Sequence, residues 1–181
     1  MGKKVLKNFF VIVLFPLTII FLIFKRLYNN IYNNYINTYI SSLDIGSIDS
    51  LSGVEFEELI FHVFRNIGFK VSRTSKSHDY GADLILEINR IKIVLQCKMY
   101  YGHNVGISAV QEVYSSLKYY GASLGVVITN SYFTRSAINL SETTNVLLWD
   151  RENLIKLLKL KEHEKIDFRR KLTHKILNEG I

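Results

Sequence analysis

Residues 79–99 read DYGADLILEINRIKIVLQCKM, and their alternating pattern is the strongest indication of the fold. Two runs, 82–88 and 91–99, are rich in apolar and β-branched residues, as is typical of β-strands. Asn89 and Arg90 separate the runs. Because asparagine tolerates a positive φ, this pair predicts a two-residue primed turn. The stretch therefore predicts a β-hairpin.

The turn also predicts the register of the hairpin. If Ile88 and Ile91 flank the turn, Asp83 lies opposite Gln96, and Lys98 shares the face of Gln96. That face brings a carboxylate, an amide and an ammonium group to one end of the hairpin. The other face is predicted to be core and comprises Ala82, Leu84, Leu86, Ile88, Ile91, Ile93, Leu95, Cys97 and Met99. A slip of one residue would bury Lys98, so the hydrophobic pattern fixes the register.

The net charge of +7 is concentrated at the two ends of the 181-residue chain. Lysine and arginine outnumber aspartate and glutamate by five to one in residues 1–48 and by eight to four in residues 156–181, whereas residues 49–155 carry ten against eleven. The near-neutral middle argues against a generic basic face for nucleic acid. The single cysteine, Cys97, excludes an intrachain disulfide and is typical of a reducing compartment.

Residues 1–26 predict a transmembrane anchor. The run FFVIVLFPLTIIFLIF at 9–24 carries no charge and has basic residues on both sides. With its apolar neighbours it approaches the ~20 residues that cross a bilayer. No small-residue cleavage site follows, which favours a single-pass anchor in the cell membrane over a signal peptide. A buried helix of a soluble protein is the alternative. The charges that flank the run slightly favour a domain outside the cell, whereas the free cysteine favours a domain in the cytoplasm. We expect the cytoplasmic placement.

Residues 27–48 predict a helical segment or a linker. Tyrosines recur there at spacings of three and four residues, which is helical periodicity, and a low-complexity linker is the alternative. Residues 44–47 predict a break, and we place the boundary of the folded domain there.

A helix is predicted to begin at Ser52, because Ser52 and Glu55 form a capping box, and to end at Gly68. On its helical wheel Glu57 lies at the edge of the apolar stripe, where a carboxylate can reach the end of a neighbouring strand. Glu58 points away from the stripe and is predicted to reach no strand.

The elements around the hairpin predict an α/β domain. A strand at 70–74 precedes it, and residues 108–159 follow the pattern helix–strand–helix–strand–helix. This order predicts a domain at 49–159 with a mixed central sheet flanked by helices. Residues 160–181 predict a basic amphipathic C-terminal helix.

The open end of the hairpin suits metal-dependent phosphate chemistry. Asp83 opposite the acceptor oxygen of Gln96 suits a hard divalent cation such as Mg²⁺, which binds few protein ligands and keeps several waters. Lys98 beside them is placed to position an attacking water and to stabilise charge that develops on a phosphate. From spacing alone, an exposed Asp–Lys ion pair is the alternative.

Several short motifs follow one another in the chain. They are Gly53-Val54-Glu55-Phe56-Glu57, Asp79-x-Gly81-x-Asp83, Gln96-Cys97-Lys98, Val105-Gly106 with Val110-Gln111-Glu112, and Thr129-Asn130-Ser131-Tyr132-Phe133-Thr134. In this order they resemble the catalytic domain of Mrr-type restriction endonucleases, a branch of the PD-(D/E)xK nuclease superfamily, over about residues 50–158.

The resemblance implies a restriction-endonuclease-like fold and an Mg²⁺-dependent endodeoxyribonuclease, with Mn²⁺ as an alternative cation and no organic cofactor. It implies Asp83 as the main metal ligand, Gln96 in place of the second acid of the superfamily, and Lys98 as the catalytic lysine. It also implies Glu57 as the helix glutamate and the main-chain carbonyl of Cys97 as a further ligand.

The leading hypothesis is a membrane-anchored, divalent-metal-dependent DNA endonuclease that acts in restriction-modification. The sequence does not specify the oligomeric state, although double-strand cleavage would need two sites, which a homodimer would supply. One alternative is a catalytically inactive nuclease-fold module that binds nucleic acid or a protein partner at the membrane. Another is a scaffold in which the carboxylate–lysine cluster is structural.

Overall fold

The computed structural model describes residues 15–75 and 80–178. The helices in these residues are α1 (Phe15–Ser42), α2 (Ile45–Asp49), α3 (Gly53–Ile67), α4 (Ile107–Tyr120), α5 (Arg135–Ser141), α6 (Arg151–Leu158) and α7 (Glu162–Asn178). The strands are β1 (Lys70–Arg73), β2 (Leu84–Ile88), β3 (Ile91–Lys98), β4 (Leu124–Thr129) and β5 (Val146–Trp149). The strands form one sheet in the order β1-β2-β3-β4-β5. The first two pairings are antiparallel and the last two parallel, so the sheet is mixed, as predicted.

The predicted hairpin and its register are confirmed. Ile88 of β2 lies opposite Ile91 of β3, and Leu84 lies opposite Leu95. Asn89 and Arg90 have φ values of 50° and 69°. Positive φ at both central residues is what a type I′ turn requires, and its twist matches that of the two strands.

Both faces of the sheet are buried at β3, so the prediction of a single core face for the hairpin is wrong. Val94 and Gln96 are buried together with Leu95. The reason is α4, which covers the second face and shares an apolar cluster with Val94. Ala82 also belongs to that cluster instead of the Leu84 face, because the regular strand begins only at Leu84.

Helix α3 covers the other face. It begins with the predicted capping box, in which Ser52 Oγ accepts from Glu55 N and Glu55 Oε2 accepts from Ser52 N. It ends at Gly68, whose φ of 101° gives a left-handed cap. Phe64 of α3 is fully buried and stacks on Trp149 of β5, with ring centroids 5.7 Å apart. The helix is therefore fixed to the parallel edge of the sheet.

The C-terminal helix α7 packs on the same domain. Its Phe168 meets Trp149 edge to face at 5.9 Å, and Leu172 and Ile176 are buried. Arg169 donates to the main-chain oxygen of Gly68 at 3.1 Å, so α7 also covers the end of α3.

The chain divides into two compact units between Tyr39 and Ile40. Helix α1 is continuous across this point. The helix is interrupted at Leu43 and Asp44, which overlaps the predicted break at residues 44–47, and α2 then begins with Asp44 as its N-cap and with Ile48 buried. The unit that contains the sheet thus begins before the boundary that the sequence predicts.

The predicted anchor at 1–26 falls only partly on the residues that the structure describes, because residues 1–14 lie outside them. In the described part, no helix is long and apolar enough to cross a membrane. The large apolar side chains of α1 between Leu17 and Phe24 are exposed. The anchor stays a prediction.

We expect Gly125 of β4 to tolerate no side chain, because an added Cβ would lie 2.2 Å from Val113 Cγ1 of α4. Gly125→Ala should lower the free energy of unfolding by about 1–3 kcal/mol in urea denaturation. Adding Val113→Ala should recover part of this loss, since it removes the clashing methyl group. Gly53→Ala is the control, because nothing lies within 4 Å of its Cβ position. An unchanged stability of Gly125→Ala would contradict the close packing of α4 on β4.

Candidate active site

The carboxylate of Asp83 is directed at the end of β3. Asp83 N donates to the main-chain oxygen of Leu95 at 2.7 Å, which extends the hairpin pairing by one bond. Asp83 Oδ2 then accepts from the main-chain N–H of Cys97 at 2.6 Å. Cys97 lies between Gln96 and Lys98, so the register brings three predicted site residues to one place.

The loop that leads into Asp83 is held against α4. Gly81 has a φ of 87°, and a Cβ there would lie 2.5 Å from the main-chain oxygen of Glu112. Glycine is required at such a position, because any side chain would meet the helix backbone. Tyr80 stacks on Tyr119 of α4, with ring centroids 3.9 Å apart. The glycine of the motif therefore sets how closely the loop approaches the helix.

Gln96 is the residue whose environment best indicates a ligand. Its side chain is buried, at 7% exposure, although it is polar. Its Oε1 has no hydrogen-bond donor among the described residues. A buried acceptor without a partner costs about 1–3 kcal/mol. A bound cation next to Oε1 would remove that cost, so the residues present fit a hard divalent ion.

The donor set is oxygen-rich and short of carboxylates. Within residues 15–75 and 80–178, no cluster of three or more His, Cys, Asp and Glu side chains is arranged to hold a metal. The predicted set of ligands contains only two carboxylates, Asp83 and Glu57. Its other two ligands are the side-chain amide of Gln96 and the main-chain carbonyl of Cys97. This composition suits Mg²⁺, which keeps several of its waters.

Lys98 reaches a partner that the sequence reasoning missed. Its Nζ lies 2.7 Å from Oε2 of Glu112, on the second turn of α4. Glu112 belongs to one of the quoted motifs, but no spacing argument connected it to Lys98. The signal was present as an acid on the helix directly after the hairpin.

Charged side chains influence the thiol of Cys97. Burial raises the pKa of the Cys97 thiol, and the charges of Asp83 and Glu57 raise this pKa further, while Lys98 lowers it. Glu57 is half-buried on α3, at the edge of the apolar stripe as predicted.

The prediction that Glu58 reaches no strand is wrong. Glu58 pairs with Arg73 at the end of β1, and its Oε1 lies 2.9 Å from His62 Nε2. The helical wheel gives the direction of Glu58, but the long side chain of Arg73 reaches from β1 to Glu58. Glu58 is thus held in a surface ion pair and not in the site.

A second network fixes the chain beyond Lys98. Asn130, just after β4, accepts from the N–H of Tyr100 at 2.9 Å and donates to Asp49 at 3.0 Å. Arg151 binds both carboxylate oxygens of Asp49, at 2.7 and 2.6 Å. Hydrogen bonding to Arg151 lowers the pKa of Asp49, so the carboxylate stays charged. The exit of β3 is thereby tied to α2, β4 and α6.

Gln111, from the motif Val110-Gln111-Glu112, is exposed on α4. Thr134, the last residue of the motif that follows β4, caps α5, and its side chain accepts from the N–H of Ala137 at 3.3 Å. Asp79 lies outside the described residues.

Solved structures resemble this fold at low sequence identity. The DNA modification-dependent restriction endonuclease AspBHI matches with a TM-score of 0.51 and 20% identity, over 70% of this chain and 34% of that chain. The MspJI restriction endonuclease in complex with a 27-mer oligonucleotide matches with a TM-score of 0.43 and 22% identity, over 56% and 26%. The protein of unknown function AF1548 matches with a TM-score of 0.46 and 14% identity, over 52% of this chain and 55% of that chain. The chain thus spans about half of AF1548 and less of the other two, and the AspBHI likeness supports a restriction-endonuclease-like fold.

The family comparison covers the same part of the chain as the site. No curated protein matches the chain. The family model Mrr_cat, described as restriction endonuclease, matches residues 48–158, which is more than half of the chain. This range includes Glu57, Asp83, Gln96 and Lys98. The chain therefore belongs to the Mrr_cat family of restriction endonucleases.

Proposed function

We propose that this domain is a divalent-metal-dependent endonuclease that hydrolyses phosphodiester bonds of DNA. One pair of observations carries the proposal: Asp83 Oδ2 accepts from the main-chain N–H of Cys97 at 2.6 Å, and the buried Oε1 of the preceding residue, Gln96, has no hydrogen-bond partner among the described residues. Buried polar atoms nearly always have a partner, and a bound ligand would supply one here. Membership of a restriction endonuclease family supports DNA as the substrate and restriction-modification as the setting.

The residues that would hold the cation are Asp83, Gln96, Glu57 and the main-chain carbonyl of Cys97. Bound there, Mg²⁺, or Mn²⁺ in its place, would supply Lewis-acid chemistry that activates water and neutralises phosphate charge. Asp83 contributes a negative charge, and its hydrogen bond to Cys97 N–H holds the carboxylate in one orientation. Gln96 contributes an oxygen without adding charge.

Lys98 acts on the substrate side of the site. Its ammonium group donates hydrogen bonds to the attacking water and to the phosphate oxygen on which negative charge grows. Its aliphatic stem is partly buried beside α4, which limits the directions in which the group can point. A point charge held in this way stabilises the transition state more than the ground state, as catalysis requires.

The assembly and the location of the enzyme are part of the proposal. One chain carries one such site, so cutting both strands of a duplex needs two chains, and we infer a homodimer on DNA. The uncharged run at 9–24 supports a single-pass anchor in the cell membrane, with the nuclease domain on the cytoplasmic side.

Asp83→Asn and Lys98→Ala should each abolish plasmid cleavage in Mg²⁺ or Mn²⁺, as EDTA should in the unaltered protein. Asparagine removes the charge that holds the cation, and alanine removes the donor to the water. Glu87→Gln and Lys92→Ala are the matched controls, because this acid and lysine lie opposite each other at the far end of the same hairpin. Cleavage that persists in both site variants ends the proposal. A large fall in melting temperature would show that the residues are structural.

Gln96→Glu should keep or raise the affinity for Mg²⁺, measured by titration calorimetry. The added carboxylate lies opposite Asp83, so only a bound cation offsets the repulsion. Weaker binding than in the unaltered protein would mean that residue 96 does not face the metal.

The full chain should stay in the membrane fraction through high-salt and alkaline washing, whereas a chain that begins at residue 40 should be recovered free of membranes and active. Salt would remove a helix held only by its basic charge. Protease added to intact cells should leave the nuclease domain uncut. Release of the full chain by salt contradicts the anchor, and digestion of the domain contradicts its cytoplasmic side.

A further inference from the structure

We propose that Glu112 is a positioning residue that holds Lys98 in its productive orientation. This inference rests on the proposed nuclease function, and it assigns a role to a residue outside the predicted metal-binding set.

The lysine of this pair is more sheltered than the lysine of a typical surface ion pair, whereas Glu112 is 43% exposed. Lys98 Nζ lies 2.7 Å from Glu112 Oε2, and the lysine side chain is 22% exposed. By comparison, the Lys70–Glu87 pair on β1 and β2 has a separation of 2.9 Å, and its lysine is 77% exposed. Exposed pairs contribute little because solvent screens them and both side chains must be ordered. A lysine with a buried stem has already lost much of that freedom.

The position of Glu112 is itself fixed from two sides. The backbone of Gly81 packs directly on the backbone of Glu112, because a Cβ added to Gly81 would lie only 2.5 Å from the main-chain oxygen of Glu112. The next residue, Val113, packs against Gly125 of β4. The turn of α4 that carries Glu112 is therefore clamped between the loop leading to Asp83 and the sheet. Glu112 therefore holds Lys98 from a helix turn whose position is also fixed by the loop that leads to Asp83.

Removing Glu112 would free Lys98 to turn toward Asp83. The Asp83 carboxylate is bonded to the main-chain N–H of Cys97, the residue before Lys98, at 2.6 Å. This carboxylate would hold the cation, and a lysine drawn onto it would compete with the cation. Glu112 therefore keeps the ammonium group directed toward the substrate and limits this competition.

The test compares steady-state DNA cleavage by the unaltered chain with that by Glu112→Ala and Glu112→Gln. A misplacement of about 1 Å can lower a rate about 100-fold, so we expect Glu112→Ala to lower kcat by about 10- to 100-fold with KM for DNA unchanged. Glu112→Gln keeps the shape and an acceptor oxygen and should recover part of kcat. Glu87→Ala, which removes the acid of the exposed Lys70 pair, should cleave like the unaltered chain.

Three outcomes would overturn the inference: an unchanged kcat in Glu112→Ala, a loss that Glu112→Gln does not relieve, or an equal loss in Glu87→Ala. A readout without DNA or metal separates this inference from the proposed function. In ¹⁵N-lysine spectra, the side-chain ammonium signal of Lys98 is assigned with Lys98→Ala. The ammonium protons of Lys98 should exchange slowly with water in the unaltered chain, and this protection should be lost in Glu112→Ala. If the unaltered chain cleaves nothing, the function fails, and this spectrum still decides whether Glu112 orders Lys98. Unchanged protection in Glu112→Ala would refute the positioning role.

Discussion

The hydrogen bond from Cys97 N–H to Asp83 Oδ2 is the interaction on which the rest of the site depends. It exists only if the hairpin has the register in which Ile88 lies opposite Ile91. A slip of one residue would turn Gln96 and Lys98 to the opposite face. The type I′ turn at Asn89 and Arg90 therefore determines how the candidate site residues are placed at the far end of both strands.

Helix α4 covers the face of the hairpin that carries the candidate site residues. By covering the second face of β3, it buries Gln96 and leaves Oε1 without a donor in the described residues. It also supplies Glu112 to Lys98 and a backbone surface against which Gly81 fits. A low-dielectric, partly dry environment strengthens each electrostatic interaction made there. Packing and chemistry thus depend on the same helix.

Local signals in the sequence were enough to predict the hairpin, its turn and the capping box at Ser52. Each depends on residues a few positions apart, so alternation and capping chemistry specify them. The Lys98–Glu112 and Asp49–Arg151 contacts join residues 14 and 102 positions apart and depend on how helices dock on the sheet. Periodicity carries no information about such docking.

The errors have the same physical origin. Alternation assigned Gln96 to an open face, because a polar residue in a strand is usually exposed, and it did not foresee that α4 covers that face. A helical wheel gives the direction of Glu58 but not the reach of Arg73 toward it. In both cases a long-range contact decided the environment of a residue that local rules treated alone.

The central claim is that Asp83 and Gln96 face one divalent cation. Anomalous diffraction from crystals soaked in Mn²⁺ tests it most directly. The account predicts one peak bounded by the Asp83 carboxylate, Gln96 Oε1 and the main-chain oxygen of Cys97, absent in crystals of Asp83→Asn. A protein that shows no peak there, with Gln96 Oε1 bonded to an N–H donor instead, would contradict the account.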